Sequence, residues 1–292
     1  MGDKPLYSLP KLSPDRHVLI AGPTASGKSA LALALARDQG GVVVNADALQ
    51  VYANWPVLTA QPGAADLAAA PHRLYGHVAA DRPYSVGHWL VEVAALLDTG
   101  ARLIVTGGTG LYFRALTEGL AEIPPIPARV RAAAAMRDPA AMIADLDAPT
   151  RARIDCANPV RVQRAWEVLR ATGRGLADWH SATPAPLLPK GSADLVLLSP
   201  PRDWLAGRID HRFDAMLAGG ALEEAQANLA AWNPALPSAK AIGAAELIDH
   251  LAGRATLAEA TSRVKAASRQ YAKRQRTWFR ARMQDWHNLK LH

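Results

Sequence analysis

Gly22-Pro23-Thr24-Ala25-Ser26-Gly27-Lys28-Ser29 decides how the rest of this 292-residue chain is read. Two glycines separated by four residues and followed by Lys-Ser form the pattern of a phosphate-binding loop. Such a loop turns its backbone N–H groups inward on a phosphate chain, its lysine reaches the outer phosphate oxygens, and its serine hydroxyl is placed to hold Mg²⁺. The pattern requires a strand before it and a helix after it. Both are present: residues 17–21, HVLIA, read as a buried strand, and residues 29–37, rich in Ala and Leu, read as a helix. All eight residues from Gly22 to Ser29 are therefore expected to line a di- or triphosphate, with Ser29 as the metal ligand.

Working outward, Val42-Val43-Val44-Asn45-Ala46-Asp47 reads as a second buried strand that ends in a carboxylate. Ligands of parallel α/β sheets sit outside the carboxyl ends of the strands, so Asp47 is expected to face the cavity of the loop. It also suits the N-cap of a helix over residues 48–52. Residues 56–83 are rich in Pro, Gly and polar side chains and read as loops; His72 and His77 lack metal-ligand spacing. A helix over residues 85–97 leads into a third strand, residues 102–106, and then Gly107-Gly108-Thr109-Gly110. These glycines are expected to allow close backbone approach to a ligand, beside the Thr109 hydroxyl.

The pattern predicts an α/β fold, a P-loop NTPase-like parallel sheet flanked by helices, with a helical insert. Composition changes at Glu122-Ile123-Pro124-Pro125-Ile126-Pro127, and a second proline-rich stretch closes at Pro189. The expected segments are 1–121, the first part of the core; 122–190, a helical insert rich in arginine; and 191–292, a return to the core followed by basic helices. Over residues 262–280, Val264, Ala267, Tyr271 and Trp278 fall on one helical stripe, and Lys265, Arg269, Lys273, Arg276 and Arg280 fall nearly opposite. No carboxylate occurs over residues 263–282, which favours contact with a nucleic-acid backbone.

The net charge of +7 points to a polyanionic partner. No apolar run reaches the roughly 20 residues of a membrane span, and the N-terminal residues lack the apolar stretch of a signal peptide. A single cysteine, Cys156, excludes an intrachain disulfide and fits a reducing cytoplasm. The site residues suit two chemistries. One is phosphoryl transfer by a kinase or nucleotidase. In the other, diphosphate leaves and another group moves, while a carboxylate takes a proton from the nucleophile.

The ordered set Gly22–Ser29, Asn45-Ala46-Asp47-Ala48-Leu49-Gln50-Val51-Tyr52, Pro71-His72-Arg73-Leu74, Gly107-Gly108-Thr109-Gly110-Leu111-Tyr112-Phe113, Arg161-Val162-Gln163-Arg164-Ala165-Trp166-Glu167, Lys240-Ala241-Ile242-Gly243 and Ala272-Lys273-Arg274-Gln275 resembles the tRNA dimethylallyltransferase family. The likeness runs over nearly the whole chain. It implies transfer of a dimethylallyl group from dimethylallyl diphosphate to N6 of the adenosine 3′ to the anticodon, position 37, with Mg²⁺. By the same likeness Thr24, Lys28 and Ser29 bind the diphosphate and its metal, Arg208 assists the leaving group, Asp47 is the general base and Thr109 lies against the flipped base. Arg131, residues 47–50 (Asp47, Ala48, Leu49, Gln50) and residues 160–164 (Val160, Arg161, Val162, Gln163, Arg164) match tRNA contacts. The helix face with Lys265, Arg269, Lys273 and Arg276 is read as a further one. The implied partner is the anticodon stem-loop of tRNA, and one active site per chain lets a monomer suffice. Three positions depart from the family's pattern: Ala48 replaces Ser, Gln61 replaces Lys, and Ala244 replaces Tyr. The rival readings are an adenylate prenyltransferase, a P-loop nucleotide kinase and, without chemistry, a nucleotide-gated RNA-binding protein.

Overall fold

Val18, Leu19 and Ile20 have none of their surface exposed, because the strand they form, β1 (His17–Ala21), lies inside a parallel sheet. This computed structural model describes residues 12–290. The N-terminal stretch read as lacking a signal peptide lies mostly outside the described residues, as do the outer ends of the first and last expected segments. The other strands are β2 (Val42–Asn45), β3 (His72–Arg73), β4 (Leu103–Gly107), β5 (Ala193–Leu198) and β6 (His287–Leu289). They pair in the order β3-β2-β4-β1-β5-β6, every pair parallel. Parallel strands are covered on both faces and read as unbroken apolar runs. That explains why β1, β2 and β4 are visible in the sequence while the two-residue β3 and the polar β6 are not.

From β1 the chain builds out on one side through β2, β3 and β4, and on the other through β5 and β6. The carboxyl end of β1 therefore sits where the connections part, the place at which parallel α/β sheets bind ligands. Register aligns Ala21 with Gly107 and Asn45 with Thr106, so the three loops that follow β1, β2 and β4 emerge together.

The helix Val86–Asp98 begins where expected: the Ser85 hydroxyl accepts from the His88 N–H, and Trp89 is wholly buried. Residues 56–83 hold two short helices, Pro56–Thr59 and Ala64–Ala69, besides β3. No helix forms over residues 48–52; a turn takes its place. The longest helix, Leu257–Arg282, opens with a Thr256/Glu259 capping box. Its buried stripe is Ala260, Val264, Ala272, Gln275 and Phe279. The expected stripe is thus rotated: Ala267, Tyr271 and Trp278 are only half-buried, because Gln275, polar in sequence, is turned inward by two hydrogen bonds described below.

The chain divides into two compact units, one carrying the sheet and the other formed by Leu116–Leu187. Sequence grammar explains the second. Asp138, Asp147 and Asn158 each accept a hydrogen bond from a backbone N–H of the helix they open, and a proline stands in the first turn of each. Met142, Leu146, Val162, Trp166 and Val168 close its core. Among the described residues no helix is long and apolar enough to cross a membrane.

Candidate active site

The loop over residues 22–29 is bent by two residues in the left-handed region, Ala25 at φ 62° and Gly27 at φ 91°, and the helix Lys28–Gln39 starts immediately after it. No side chain caps that helix, so its first N–H groups are left for a ligand. Lys28 folds back, its Nζ donating to the Pro23 carbonyl at 3.2 Å. Burial, reinforced by the Arg212 guanidinium and opposed by Asp47, lowers the Lys28 ammonium to about 8.

Asp47 is held by its neighbours in sequence and in space. The fully buried Asn45 amide donates to the Asp47 carbonyl at 3.0 Å and the Leu74 carbonyl at 2.9 Å, and its oxygen accepts from the Asp47 N–H at 2.8 Å. The buried Trp89 indole donates to the Asn45 carbonyl at 2.7 Å. One carboxylate oxygen of Asp47 accepts from the Leu49 N–H at 3.0 Å, a local turn that replaces the expected helix cap. Thr109 ties the third loop to the second: its N–H donates to the Ala46 carbonyl at 3.2 Å and its hydroxyl accepts from the Ala48 N–H at 3.1 Å.

The glycines that close β4 and follow it leave room for close approach within the protein. A Cβ on Gly107 would run into the Ala46 backbone, and one on Gly108 into the Gln275 amide. Gln275 uses both ends of that amide: its oxygen accepts from the Thr24 N–H and its nitrogen donates to the Gly108 carbonyl, each at 2.9 Å. It thereby joins the first and third loops.

Thr24, Lys28 and Asp47 line one cleft of about 760 Å³, its open mouth included, while Thr109 and Gln275 brace the loops beside it. Thr24, Lys28, Ser29 and Arg212 stand at its polar end with Asp47; Leu58, Ile209, Phe213, Met216, Ile242 and Val264 form the apolar wall. Asp47 is the sole carboxylate of the lining among the described residues, facing two cations. Arg212, and not Arg208, is the arginine that lines the cleft. Both lie on the helix Arg202–Ala218, one turn apart, but Arg208 is exposed with its guanidinium 5.0 Å from the Trp204 ring, whereas Arg212 donates to the Thr24 hydroxyl at 3.1 Å. The pair at this spacing is legible in the sequence; the pocket picks the member that faces inward. Tyr271 also reaches in, hydrogen-bonded to the side chains of Thr109 and Gln275, and burial holds its phenol in the protonated form. Arg212, Tyr271 and Gln275 were not singled out from the sequence as site residues, because tertiary packing decides which members of a helix reach the cleft and its loops.

The remaining expected contacts divide. Leu49 and Gln50 line the cleft, and Gln50 holds the Thr59 and Ala60 carbonyls. Val162 is wholly buried in the core of the second unit, so its side chain meets no ligand; Arg131, Val160, Arg161 and Arg164 are exposed there, and Gln163 bonds Glu167. On the long helix, Lys265 pairs with Asp214 at 2.6 Å and Arg269 with Asp210. The face read as free of carboxylates is therefore half neutralised by a neighbouring helix. Of the departures, Gln61 donates to the Tyr52 carbonyl at 2.7 Å inside its own loop, and Ala244 is wholly buried.

Among the described residues no cluster of three His, Cys, Asp or Glu side chains could hold a metal. The Ser29 hydroxyl, at the cationic end of the cleft, fits Mg²⁺, which needs few protein oxygens.

The sequence pattern of the IPP transferase family matches residues 50–282. A tRNA dimethylallyltransferase of Cereibacter sphaeroides is 63% identical over 98% of this chain and 93% of its own. One from Paracoccus denitrificans is 61% identical over 95% of each. Among solved structures, the tRNA isopentenylpyrophosphate transferase of Bacillus halodurans superposes with a TM-score of 0.68 at 29% identity, covering 94% of this chain and 90% of that one. With the loop, the carboxylate and the apolar-walled cleft assembled on this sheet, the chain belongs to the IPP transferase family.

Proposed function

We propose that this chain transfers a dimethylallyl group from dimethylallyl diphosphate to N6 of the adenosine 3′ to the anticodon of tRNA, releasing diphosphate. The observation that carries this reading is the cleft itself, cationic at one end and apolar along its wall. A prenyl diphosphate has that division of chemistry. A nucleoside triphosphate would set its ribose and base against Ile209, Phe213 and Met216, where few polar groups answer it, which disfavours the kinase reading.

The free N–H groups of the loop, Lys28, Thr24 and Arg212 grip the diphosphate and stabilise the charge that builds on it as the C1–O bond breaks. The amine of the flipped adenine forms its new bond to C1, the C1–O electron pair leaves on diphosphate, and Asp47 accepts the amine proton. The Leu49 N–H fixes one Asp47 oxygen and so orients the other. Thr109, tied to Ala48 and Tyr271, lines the path of the base. The Ser29 hydroxyl would hold Mg²⁺, which would supply further positive charge to the diphosphate. Exposed Arg131, Arg161 and Arg164 of the second unit contact the anticodon stem-loop. One chain supplies every group named, so a monomer in the cytoplasm is sufficient.

The test is incubation with Mg²⁺, radiolabelled dimethylallyl diphosphate and unmodified tRNA, with AMP as a parallel acceptor. Label in the tRNA is expected. Label in AMP alone would favour the adenylate prenyltransferase, and label in neither would reject prenyl transfer to either acceptor.

A further inference from the structure

Glu224, on the helix Ala221–Leu229 of the sheet-bearing unit, is a half-buried carboxylate that none of the chemistry above uses. It reaches the short helix Pro56–Thr59. That helix opens with a proline, which has no N–H, and its N-cap residue, Trp55, makes no side-chain cap, so the Val57 and Leu58 N–H groups start without a local partner. Glu224 supplies both: one carboxylate oxygen accepts from the Val57 N–H at 2.6 Å and the other from the Leu58 N–H at 2.9 Å. One turn further along the same face, Asn228 accepts from the Asn54 amide at 2.8 Å and donates to the Asn54 carbonyl at 2.9 Å. Burial pushes the Glu224 carboxyl up and the two N–H bonds pull it back only in part, so a charge is kept here against a desolvation cost.

We infer that Glu224 is a positioning residue for the transfer: it sets where Leu58 stands in the apolar wall and, through Gln50, where the turn that carries Asp47 stands. The inference rests on the proposed reaction and adds a residue to it. The line of contacts is continuous. Leu58 and Thr59 of the capped helix line the cleft. At the far end of that helix the Gln50 amide donates to the Thr59 and Ala60 carbonyls at 2.8 and 2.9 Å. Gln50 follows Leu49, whose N–H holds one Asp47 oxygen at 3.0 Å. Packing alone does not give this arrangement its direction. Ala221 and Ala225 are wholly buried in one core with Trp55 and Leu58, a contact that presses the loop to the helix without orienting it. Two charge-assisted hydrogen bonds to adjacent N–H groups add the orientation, since they fix the rotation of the short helix about its own axis. So short a helix has no stability of its own, and its pose follows its cap. The phosphate grip stands outside this line: Lys28 bonds the Pro23 carbonyl, and Arg212 bonds Thr24.

The experiment measures kcat and KM for prenyl transfer to tRNA, and the affinity for inorganic diphosphate, in Glu224→Ala, Glu224→Gln and a control, Glu223→Gln, an exposed neighbour on the same helix. A catalytic group misplaced by about 1 Å costs about 10²-fold, so Glu224→Ala should lower kcat by about that factor. Glu224→Gln keeps the shape and one acceptor oxygen but loses a charge-assisted bond, and should lower kcat by about tenfold. Both should raise KM for dimethylallyl diphosphate and leave the affinity for inorganic diphosphate within about twofold, since the phosphate grip is a separate site. Glu223→Gln should match the wild type. The double variant Glu224→Gln/Gln50→Ala checks the route: two residues acting along one line lose less together than the product of their separate losses. A wild-type kcat in a folded Glu224→Ala chain overturns the inference. So does a loss of diphosphate affinity in step with kcat, which would mark a general loosening of the cleft, and losses that multiply overturn the route through Gln50. Should Glu224→Ala not fold, Glu224→Gln must still lose about tenfold in kcat, and a wild-type rate there counts against the inference equally. Failure of the wild-type chain to prenylate tRNA would instead remove the reaction on which the inference rests.

Discussion

The Arg212 guanidinium donates to the Thr24 hydroxyl across 3.1 Å, joining the phosphate-binding loop to a helix 188 positions later. Asp47 attracts that guanidinium and the neighbouring Lys28 from the same cleft. The site is thus charged before substrate arrives, with its cations held apart by the fold and not by a ligand. Such preorganisation removes the reorganisation that water would need at the moment of bond breaking.

Arg212→Ala should therefore lower the transfer rate by about 10²–10³, the usual loss when one stabilising donor is removed from a reaction centre. Arg208→Ala, on the exposed side of the same helix, should stay within a few-fold of wild type. Steady-state kinetics of both variants decide the matter, and a larger effect at Arg208 would return the leaving-group role to it.

Asp47→Asn keeps an oxygen for the Leu49 N–H and so preserves the turn, but it cannot take a proton. Loss of general-base catalysis should cost about 10²–10⁴ in rate with tRNA affinity nearly unchanged. Single-turnover rates beside filter-binding isotherms separate the two effects, and appreciable turnover would exclude Asp47 as the base.

Diphosphate affinity should depend on pH through Lys28. Its free-state value of about 8 lies below the ordinary 10.5, and a bound polyanion raises it, so binding above pH 8 takes up a proton. Affinity from this group is complete below about pH 8 and falls by up to about tenfold per unit above it. Calorimetry in buffers of different ionisation heat should show the proton uptake at about pH 9. Lys28→Met should bind more weakly at every pH and lose that uptake; an uptake that survives the substitution would point to another group.

Tyr271→Phe removes one hydroxyl from the Thr109–Gln275 network and keeps the ring. A loss of about 1 kcal/mol, roughly fivefold, is expected in the rate with tRNA, with diphosphate binding unaltered. Equal losses in both would mean that the phenol serves the phosphate end.

Gln275→Ala should be the more damaging change to stability. It leaves the Thr24 N–H and the buried Gly108 carbonyl without their partner, at about 1–3 kcal/mol for each such group. Thermal melting should fall by several degrees, and a melting point equal to wild type would mean that water replaces the amide.

Much of the site is written in the grammar of the chain. The loop over residues 22–29 needs only local geometry, a glycine at Gly27 free to adopt positive φ and a helix start, and local geometry is set by adjacent residues. Apolar runs expose β1, β2, β4 and β5 because a doubly covered strand shows no alternation. The caps of the second unit are similarly open to reading, since an Asp or Asn before Pro acts within one turn.

Whatever depends on distant partners was decided by the tertiary structure alone. Arg208 and Arg212 are equivalent in sequence, and only the packing of their helix turned one toward Thr24 and left the other over Trp204. Lys265 and Arg269 looked as free as Lys273 and Arg276, yet Asp214 and Asp210 quench the first pair from another helix. That Ala46 closes on Gly107 and Gln275 on Gly108 is likewise decided by distant partners. Sequence order determines which groups exist and what local turns they make; which of them meet in a cleft follows from long-range burial, where the cost of an unpaired polar group selects the partner.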